Sequence, residues 1–287
     1  MSWLGDSAAV AVLSFDVDAE SPILAQGRRY ADHAMVMTHQ AYGPQVGVPR
    51  LLALLDDFGI KATFFVPGLT ADRYPQTVER IAAAGHEVGH HSYSHRSPVD
   101  LGEAAEREDF ERALEALERV GVKPKGHRSA LWEASWGTPA LVAEYGLAYD
   151  STLMDDDRPY LLETAQGTIA ELPPHWSLDD WEQYAYLPRP PIGTNIESPA
   201  KVLDLWTNEL DAMRRHGCLF MLTNHPFLSG RPGRVETLRK LIEHALGRGD
   251  VEFATAADVA ARVREDPRAT RRTLRPVEVD AAIYPEL

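Results

Sequence analysis

The chain has 287 residues, of which 43 are acidic and 29 are basic, and its formal net charge is -14 at neutral pH. This acidic balance, without any basic block, argues against nucleic acid or an anionic membrane surface as a partner. The single cysteine, Cys218, excludes an internal disulfide and fits a reducing compartment. The amino terminus has no basic region and no long apolar run, so we expect a cytoplasmic protein without signal peptide or membrane span.

Predicted strands alternate with amphipathic helices along the chain. Helical periodicity occurs in four segments, after Pro49, before Gly121, after Ser198 and before Gly247. This order predicts an α/β fold of parallel βαβ units in one domain over residues 1–287. Seven strands favour a barrel, although the pattern alone also allows an open doubly wound sheet. The seven predicted strands begin near residues 9, 61, 86, 124, 147, 218 and 251.

Two segments interrupt this alternation and are predicted as loop insertions. The first follows the first strand, from about residue 19 to 45, and the second spans about residues 153–191 and is rich in aspartate, proline and aromatic residues. Loops of such length in a compact domain usually serve function or are ordered by a partner. A tail without helical period begins at about residue 267 and is expected to pack on the barrel or on another subunit.

Two histidines in the middle of the chain are candidate metal ligands. His91 and His95 have the spacing His-x-x-x-His, which lets two imidazoles face one cation. Taken alone, the pair fits surface or capping histidines equally well. Asp18 is the candidate third ligand, and three protein ligands leave one open position where a divalent metal activates water. His90 is expected to point elsewhere and to have a structural role.

The first strand ends in a pair of aspartates. Asp16 and Asp18 lie two residues apart in F-D-V-D, so on an extended strand both point to the same side. Two such carboxylates repel each other unless positive charge neutralises them. A metal at Asp18 makes Asp16 the candidate general base, with Arg128 to orient it. His225, in L-T-N-H-P, is the candidate general acid. The alternatives are an ordinary ion pair for Arg128 and a structural role for His225.

The chain contains four motifs that resemble, in order and spacing, those of the polysaccharide deacetylase family, carbohydrate esterase family 4. They are S-F-D-V-D, H-S-Y-S-H, G-H-R-S and L-T-N-H-P. The resemblance implies a distorted seven-stranded (β/α) barrel. It also implies hydrolysis of an N-acetyl amide or O-acetyl ester with a divalent metal, usually zinc. The site residues that it implies are Asp16 as base, Asp18, His91 and His95 as metal ligands, Arg128 as the residue that orients the base, and His225 as acid.

The resemblance also implies residues that support the site or line the substrate pocket. In the family, a further aspartate supports the acid histidine, and S-L-D-D-W offers either Asp179 or Asp180 for this role. Trp181 in the same motif is expected to line the pocket, and Trp132 is a second candidate for the pocket wall.

The chain also departs from the commonest family pattern. Val17 separates two aspartates that are usually adjacent, and Ala130 stands where proline is common. Three segments resemble one branch of the family, which contains cytoplasmic peptidoglycan-deacetylase-like proteins and metal-independent allantoinases. These segments are F-D-V-D, V-G-V-P-R-L-L and Y-D-S-T-L-M-D-D-D-R-P-Y. Members of this branch tend to be oligomeric.

We therefore predict a metal-dependent hydrolase of non-peptide carbon–nitrogen bonds that deacetylates an N-acetylated sugar or polysaccharide of the peptidoglycan or chitin type. The alternative is a cytoplasmic hydrolase of small cyclic amides or imides. A third option is a catalytically silent carbohydrate-binding barrel, against which the complete set of acidic, histidine and arginine residues argues. A homo-oligomer is compatible with the branch.

Overall fold

The structure is a computed structural model that describes residues 2–280 and 282–284, so both ends of the predicted domain over residues 1–287 lie outside the described residues. The strands are β1 (Ala9–Asp16), β2 (Thr63–Val66), β3 (Glu87–His90), β4 (Gly126–His127), β5 (Tyr149–Asp150), β6 (Tyr160–Thr164), β7 (Gly167–Glu171), β8 (Leu187–Pro188), β9 (Pro191–Ile192), β10 (Leu219–Asn224), β11 (Val251–Phe253) and β12 (Arg271–Arg272). The α-helices are α1 (Ser21–Ala25), α2 (Ala34–Tyr42), α3 (Val48–Phe58), α4 (Gly68–Arg73), α5 (Pro75–Ala83), α6 (Pro98–Leu101), α7 (Glu103–Arg119), α8 (Thr138–Glu144), α9 (Trp181–Tyr184), α10 (Pro199–His216), α11 (Pro226–Ser229), α12 (Pro232–Arg248) and α13 (Ala256–Glu265). Within the described ranges, no helix is both long and apolar enough to cross a membrane.

Seven strands form a continuous parallel sheet in the order β10-β1-β2-β3-β4-β5-β7. β6 pairs antiparallel with β7, β12 pairs with β6, and β11 pairs with the first half of β1. Strand pairing in the described part of the chain does not join β10 to β6. A backbone hydrogen bond of 3.0 Å, from the N–H of Leu219 to the carbonyl of Asp157, crosses this gap. The α/β fold class is confirmed, and the barrel is distorted at this point.

The core lies between the sheet and its helices. All eight residues of β1 are buried, as expected for a parallel strand covered on both faces. The rings of Phe15 and Phe64 stack on neighbouring strands with centroids 4.8 Å apart. The largest apolar cluster continues from these strands to α3, α10 and α12. The helices therefore hold the strands, and with them the strand ends, in fixed positions.

The helix boundaries follow local sequence signals, with one exception. Ser198 caps α10 by accepting a hydrogen bond from the N–H of Ala200, and Gly217 ends the helix with a φ of 63°. The prediction that Gly247 ends the next helix is wrong. α12 continues to Arg248 and ends at Gly249, whose φ of 76° is the left-handed conformation that favours glycine.

Both segments predicted as loops contain secondary structure. Residues 19–45 include α1 and α2, and residues 153–191 include the β6–β7 hairpin and α9. Three consecutive residues of this hairpin, Tyr160 to Leu162, are buried, although aspartates and prolines surround them in the sequence. The predicted tail contains β12, which pairs with β6 of the same chain. The single-domain organisation stays a prediction.

Candidate active site and metal centre

The candidate site lies at the carboxyl ends of neighbouring parallel strands. Asp16 is the last residue of β1, while His91, Arg128 and His225 directly follow β3, β4 and β10. Parallel strands bring such residues to one edge of the sheet, where ligands of α/β proteins bind. A cavity of about 310 Å³ opens here, and its lining residues are Asp16, Asp18, His91, His95, Leu131, Trp132, Glu133, Trp176, Asp179, Trp181, Glu182 and His225.

Asp18 lies between the two histidines predicted as its co-ligands. Its Oδ1 is 3.4 Å from Nε2 of His91, and its Oδ2 is 3.3 Å from Nε2 of His95. The residue is 1% exposed, and neither of its carboxylate oxygens accepts a hydrogen bond from the described residues. Burying a carboxylate without donors is costly unless a cation compensates it. The three residues therefore fit a bound cation.

The hydrogen bond of His91 indicates which of its nitrogens faces that cation. Its Nδ1 lies 2.7 Å from the carbonyl oxygen of Arg128. A carbonyl only accepts, so Nδ1 carries a proton and Nε2 of the neutral ring directs a lone pair toward Asp18. Burial lowers the pKa of His91, but the nearby Asp16 and Asp18 outweigh it and raise the pKa. A proton and a cation therefore compete for Nε2.

The ligand atoms of Asp18, His91 and His95 lie within 4.8 Å of one another. Two imidazoles and one carboxylate are a donor set that zinc accepts in catalytic sites with an open position. His95 reaches this group from a left-handed backbone conformation, with a φ of 57° that non-glycine residues seldom adopt. Such strain is common where a fold fixes a functional side chain.

Arg128 fixes the orientation of Asp16. Its guanidinium donates hydrogen bonds to Oδ1 of Asp16 at 2.7 Å, to Oγ of Ser14 at 2.9 Å and to Oγ of Ser151 at 3.1 Å. Arg128 is fully buried, so these bonds are made away from solvent. The second oxygen of Asp16, Oδ2, lies 3.7 Å from Nε2 of His91 and faces the ligand group. Asp16 thus presents one oxygen to the cavity.

His225 is held by the second of the two candidate aspartates. Its Nδ1 donates to Oδ1 of Asp180 at 2.7 Å, and its backbone N–H donates to the same carboxylate at 2.9 Å. Asp179 is farther away, with its Oδ1 3.6 Å from Nδ1, and it accepts the N–H of Trp181. Burial lowers the pKa of His225, but Asp179 and Asp180 outweigh it, and the pKa is raised. Nε2 of His225 is 3.5 Å from Asp18 and faces the cavity.

Asp179, Asp180 and His225 form a second group with the spacing of metal ligands. The carboxylate of Asp180 already accepts the side-chain and backbone N–H groups of His225 and the hydroxyl of Ser229. Burial raises the pKa of Asp179 to about 8. Asp180 and His225 are therefore held together by hydrogen bonds, whereas the oxygens of Asp18 have no donor among the described residues.

His90 lies outside the ligand group. Its Nδ1 is 2.7 Å from Nδ1 of His127, and its Nε2 is 3.1 Å from the carbonyl oxygen of Phe110. Burial lowers the pKa of His90 to about 3, so the ring is neutral. Its contacts are those of a packed structural histidine.

Two kinds of residue in this region were not predicted from the sequence. Ser14 and Ser151 hold Arg128; the alternation along β1 puts Ser14 on the same side as Asp16 and could have identified it. Trp176 packs against the predicted pocket residue Trp132, with ring centroids 4.8 Å apart. No local sequence pattern predicts this contact. A larger cavity of about 530 Å³ lies elsewhere and contains none of the predicted site residues.

Comparison with known proteins gives consistent matches. The family model for polysaccharide deacetylases matches residues 31–148. The crystal structure of a protein assigned to the polysaccharide deacetylases, from Mycobacterium smegmatis, is 49% identical, with a TM-score of 0.94 over 97% of this chain and 98% of that one. A peptidoglycan deacetylase of Helicobacter pylori is 28% identical over 246 residues, which cover 76% of this chain and 84% of the relative. The structure of the allantoinase Puue, 23% identical with a TM-score of 0.79 over 93% of each chain, shares the fold.

Proposed function

Since this chain belongs to the polysaccharide deacetylase family, we propose that it is a hydrolase that releases acetate from N-acetylated amino sugars with a divalent metal. The bond it breaks is a carbon–nitrogen bond other than a peptide bond. The observation that carries the proposal is the buried carboxylate of Asp18, which has no hydrogen-bond donor among the described residues and lies between Nε2 of His91 and Nε2 of His95.

The proposed metal is zinc, because two imidazoles and one carboxylate form one of its usual catalytic ligand sets. A divalent metal on Asp18, His91 and His95 polarises a carbonyl oxygen and lowers the pKa of water toward about 7. The bond from Nδ1 of His91 to the carbonyl of Arg128 orients this ring for metal binding.

The proposed reaction transfers two protons through residues of this chain. Oδ2 of Asp16 accepts a proton from the attacking water, while Arg128 holds Oδ1 and keeps the carboxylate turned toward the cavity. The water oxygen bonds to the acetyl carbonyl carbon. As the carbon–nitrogen bond breaks, Nε2 of His225 donates its proton to the leaving nitrogen, and Asp180 stabilises the imidazolium at Nδ1. The products are acetate and a free amine.

The cavity wall supports a sugar as the substrate. Trp132, Trp176 and Trp181 line the cavity. Tryptophan rings offer broad apolar faces, on which the C–H face of a sugar ring can pack, and an N–H that can bond to hydroxyls. Leu131 and Trp176 are 50% and 47% exposed at the mouth, so the cavity is open to solvent and a longer substrate can extend from it.

The experiment compares acetate release from N-acetylglucosamine oligomers by the native chain and by Asp16→Asn. We expect turnover to fall roughly 100- to 10,000-fold, the usual contribution of a general base, while bound zinc stays stoichiometric. Asp6→Asn is the matched control, because Asp6 is exposed and lies outside the cavity lining. Near-normal turnover in Asp16→Asn contradicts the role of Asp16.

Substrate choice decides between this proposal and its alternatives. Hydantoin-like, imide and allantoin substrates are assayed beside the sugar oligomers. Hydrolysis of only the cyclic compounds replaces the deacetylase proposal with a cyclic amide hydrolase. Tight sugar binding without turnover under any metal replaces it with a carbohydrate-binding barrel.

A further inference from the structure

The walls of the cavity carry carboxylates and tryptophans and, among the described residues, no lysine or arginine. At about 310 Å³ the cavity is at the small end of the range for ligand pockets. One acetamide-bearing unit therefore fills it, and the neighbouring units of a longer substrate lie against its mouth. The acidic lining residues are Asp16, Asp18, Glu133, Asp179 and Glu182.

Positive groups compensate the carboxylates at the bottom of the cavity. Asp16 is paired with Arg128 at 2.7 Å. Asp180 is bonded to His225 at 2.7 Å, and the same imidazole lies 3.6 Å from Asp179. Asp18 faces two imidazoles and the proposed metal. The reacting unit therefore meets a region with little uncompensated charge.

Two glutamates lie at the mouth of the cavity, away from these close pairs. Glu133 and Glu182 are exposed, and neither has a salt-bridge partner within the described ranges. Each directly follows a tryptophan of the cavity wall, Trp132 or Trp181. Carboxylates and the faces of tryptophan rings both attract cations, so the two kinds of side chain in this wall act in the same direction. We call Glu133 and Glu182 the acidic rim.

On the basis of the proposed function, we propose that this site prefers acetamide units flanked by an ammonium group, as in partly deacetylated amino-sugar oligomers. The acidic rim attracts the ammonium group of the neighbouring unit and repels a neighbouring carboxylate. Each hydrolysis produces an amine that takes up a proton. One turnover therefore creates the flanking charge that favours the next hydrolysis on the same oligomer.

The test measures kcat/KM for three short oligomers that differ next to the reacting unit. The neutral one is the N-acetylglucosamine trimer, the cationic one is a glucosamine trimer with one remaining acetyl group, and the anionic one carries N-acetylmuramic acid. At about pH 6 the free amines of the oligomers are protonated. We expect the cationic oligomer to exceed the neutral one roughly threefold to tenfold at low salt, and the ratio to approach one at high salt.

Charge variants test whether the rim causes this preference. In the double variant Glu133→Gln and Glu182→Gln, the ratio of cationic to neutral kcat/KM should fall toward one at low salt. Glu133→Asp with Glu182→Asp, which keeps the charge, should retain the preference. The control is Glu79→Gln with Glu265→Gln, two exposed glutamates outside the cavity, which gives the same net charge and should keep the native ratio.

The outcomes separate this inference from the function on which it rests. The rim inference is overturned, and deacetylation stands, in either of two cases. In the first, the native chain hydrolyses the neutral and the cationic trimer with equal kcat/KM. In the second, the glutamine variant keeps the preference for the cationic trimer. If the native chain hydrolyses none of the oligomers, the proposed function fails, and the inference fails with it.

Discussion

The bottom and the mouth of the cavity differ in how their side chains are held. The bottom consists of Asp16, Asp18, His91, His95 and His225, all buried and all in contact with another charged or ionisable group. The mouth consists of Leu131 to Glu133 together with Trp176 and Glu182, which are partly or largely exposed. The bottom therefore fixes the chemistry, while the mouth is free to select the substrate.

Removing a proposed metal ligand should have the largest effect, because the proposed metal then loses one of its three protein ligands at the bottom of the cavity. In His95→Asn we expect bound zinc to fall well below one per chain. Turnover should fall by at least about 1,000-fold, since the metal supplies several kcal/mol of stabilisation. Metal analysis and acetate release measure both effects. His216→Asn, an exposed histidine at the end of α10, is the control. Full zinc content in His95→Asn contradicts the ligand assignment.

Removing the support of His225 should change the pH dependence. In the proposed reaction His225 acts in its protonated form, and its raised pKa keeps that form present until the pH rises through the raised value. In Asp180→Asn the pKa falls, so the alkaline limb of kcat/KM should move to lower pH. A hydrogen bond between charged groups contributes about 1.5–3 kcal/mol, which corresponds to roughly one to two pH units.

A profile of kcat/KM against pH measures this shift, with Asp57→Asn as an exposed control. An alkaline limb that stays in place in Asp180→Asn, with near-normal activity, contradicts the proposed role of His225 as the acid. A uniform loss of activity at every pH indicates instead that Asp180 has only a structural role.

Shortening a side chain at the mouth should have the smallest effect. Trp176 packs on Trp132 and lines the cavity. In Trp176→Ala we expect KM for the sugar trimer to rise roughly fivefold, the equivalent of about 1 kcal/mol of aromatic contact, with kcat nearly unchanged. Trp136→Ala is the matched control, because Trp136 is 61% exposed and lines a different cavity. Equal KM values in the two variants contradict a role for Trp176 in substrate binding.

The sequence predicted most of the fold because strand runs and helix ends depend on local signals. The seven predicted strands correspond to β1 to β5, β10 and β11. The β6–β7 hairpin was not predicted, because its short apolar runs are surrounded by charged and turn-forming residues. Only the packing of the folded chain shows that these runs are strands. The end of α12 was also misplaced, because Gly247 remains helical and Gly249 adopts the left-handed conformation.

The residues at the bottom of the cavity could be predicted from the sequence because of their places at the ends of strands. Asp16, His91 and His225 follow or end strands of a parallel sheet, and such strand ends meet at one edge. The choice between Asp179 and Asp180 stayed open, because only the backbone turn after residue 178 decides which carboxylate reaches His225. The roles of all these residues stay predictions, as do the cytoplasmic location and a homo-oligomer.

Apart from Trp132, the residues of the mouth were not predicted, because the mouth depends on conformations that its residues seldom adopt. Leu131 and Trp132 have φ values of 61° and 51°, in the left-handed region that favours glycine. No sequence pattern indicates that a leucine and a tryptophan adopt it. The contact of Trp132 with Trp176 joins residues 44 positions apart, and it exists only once both turns are folded.

The most direct test of a metal-dependent deacetylase is acetate release from N-acetylglucosamine oligomers by the native chain before and after removal of its metal. We predict that a chelator abolishes acetate release and that one equivalent of zinc restores it, because Asp18, His91 and His95 are the proposed ligands of the metal on which the proposed reaction depends. Undiminished acetate release from the metal-free protein would contradict the account.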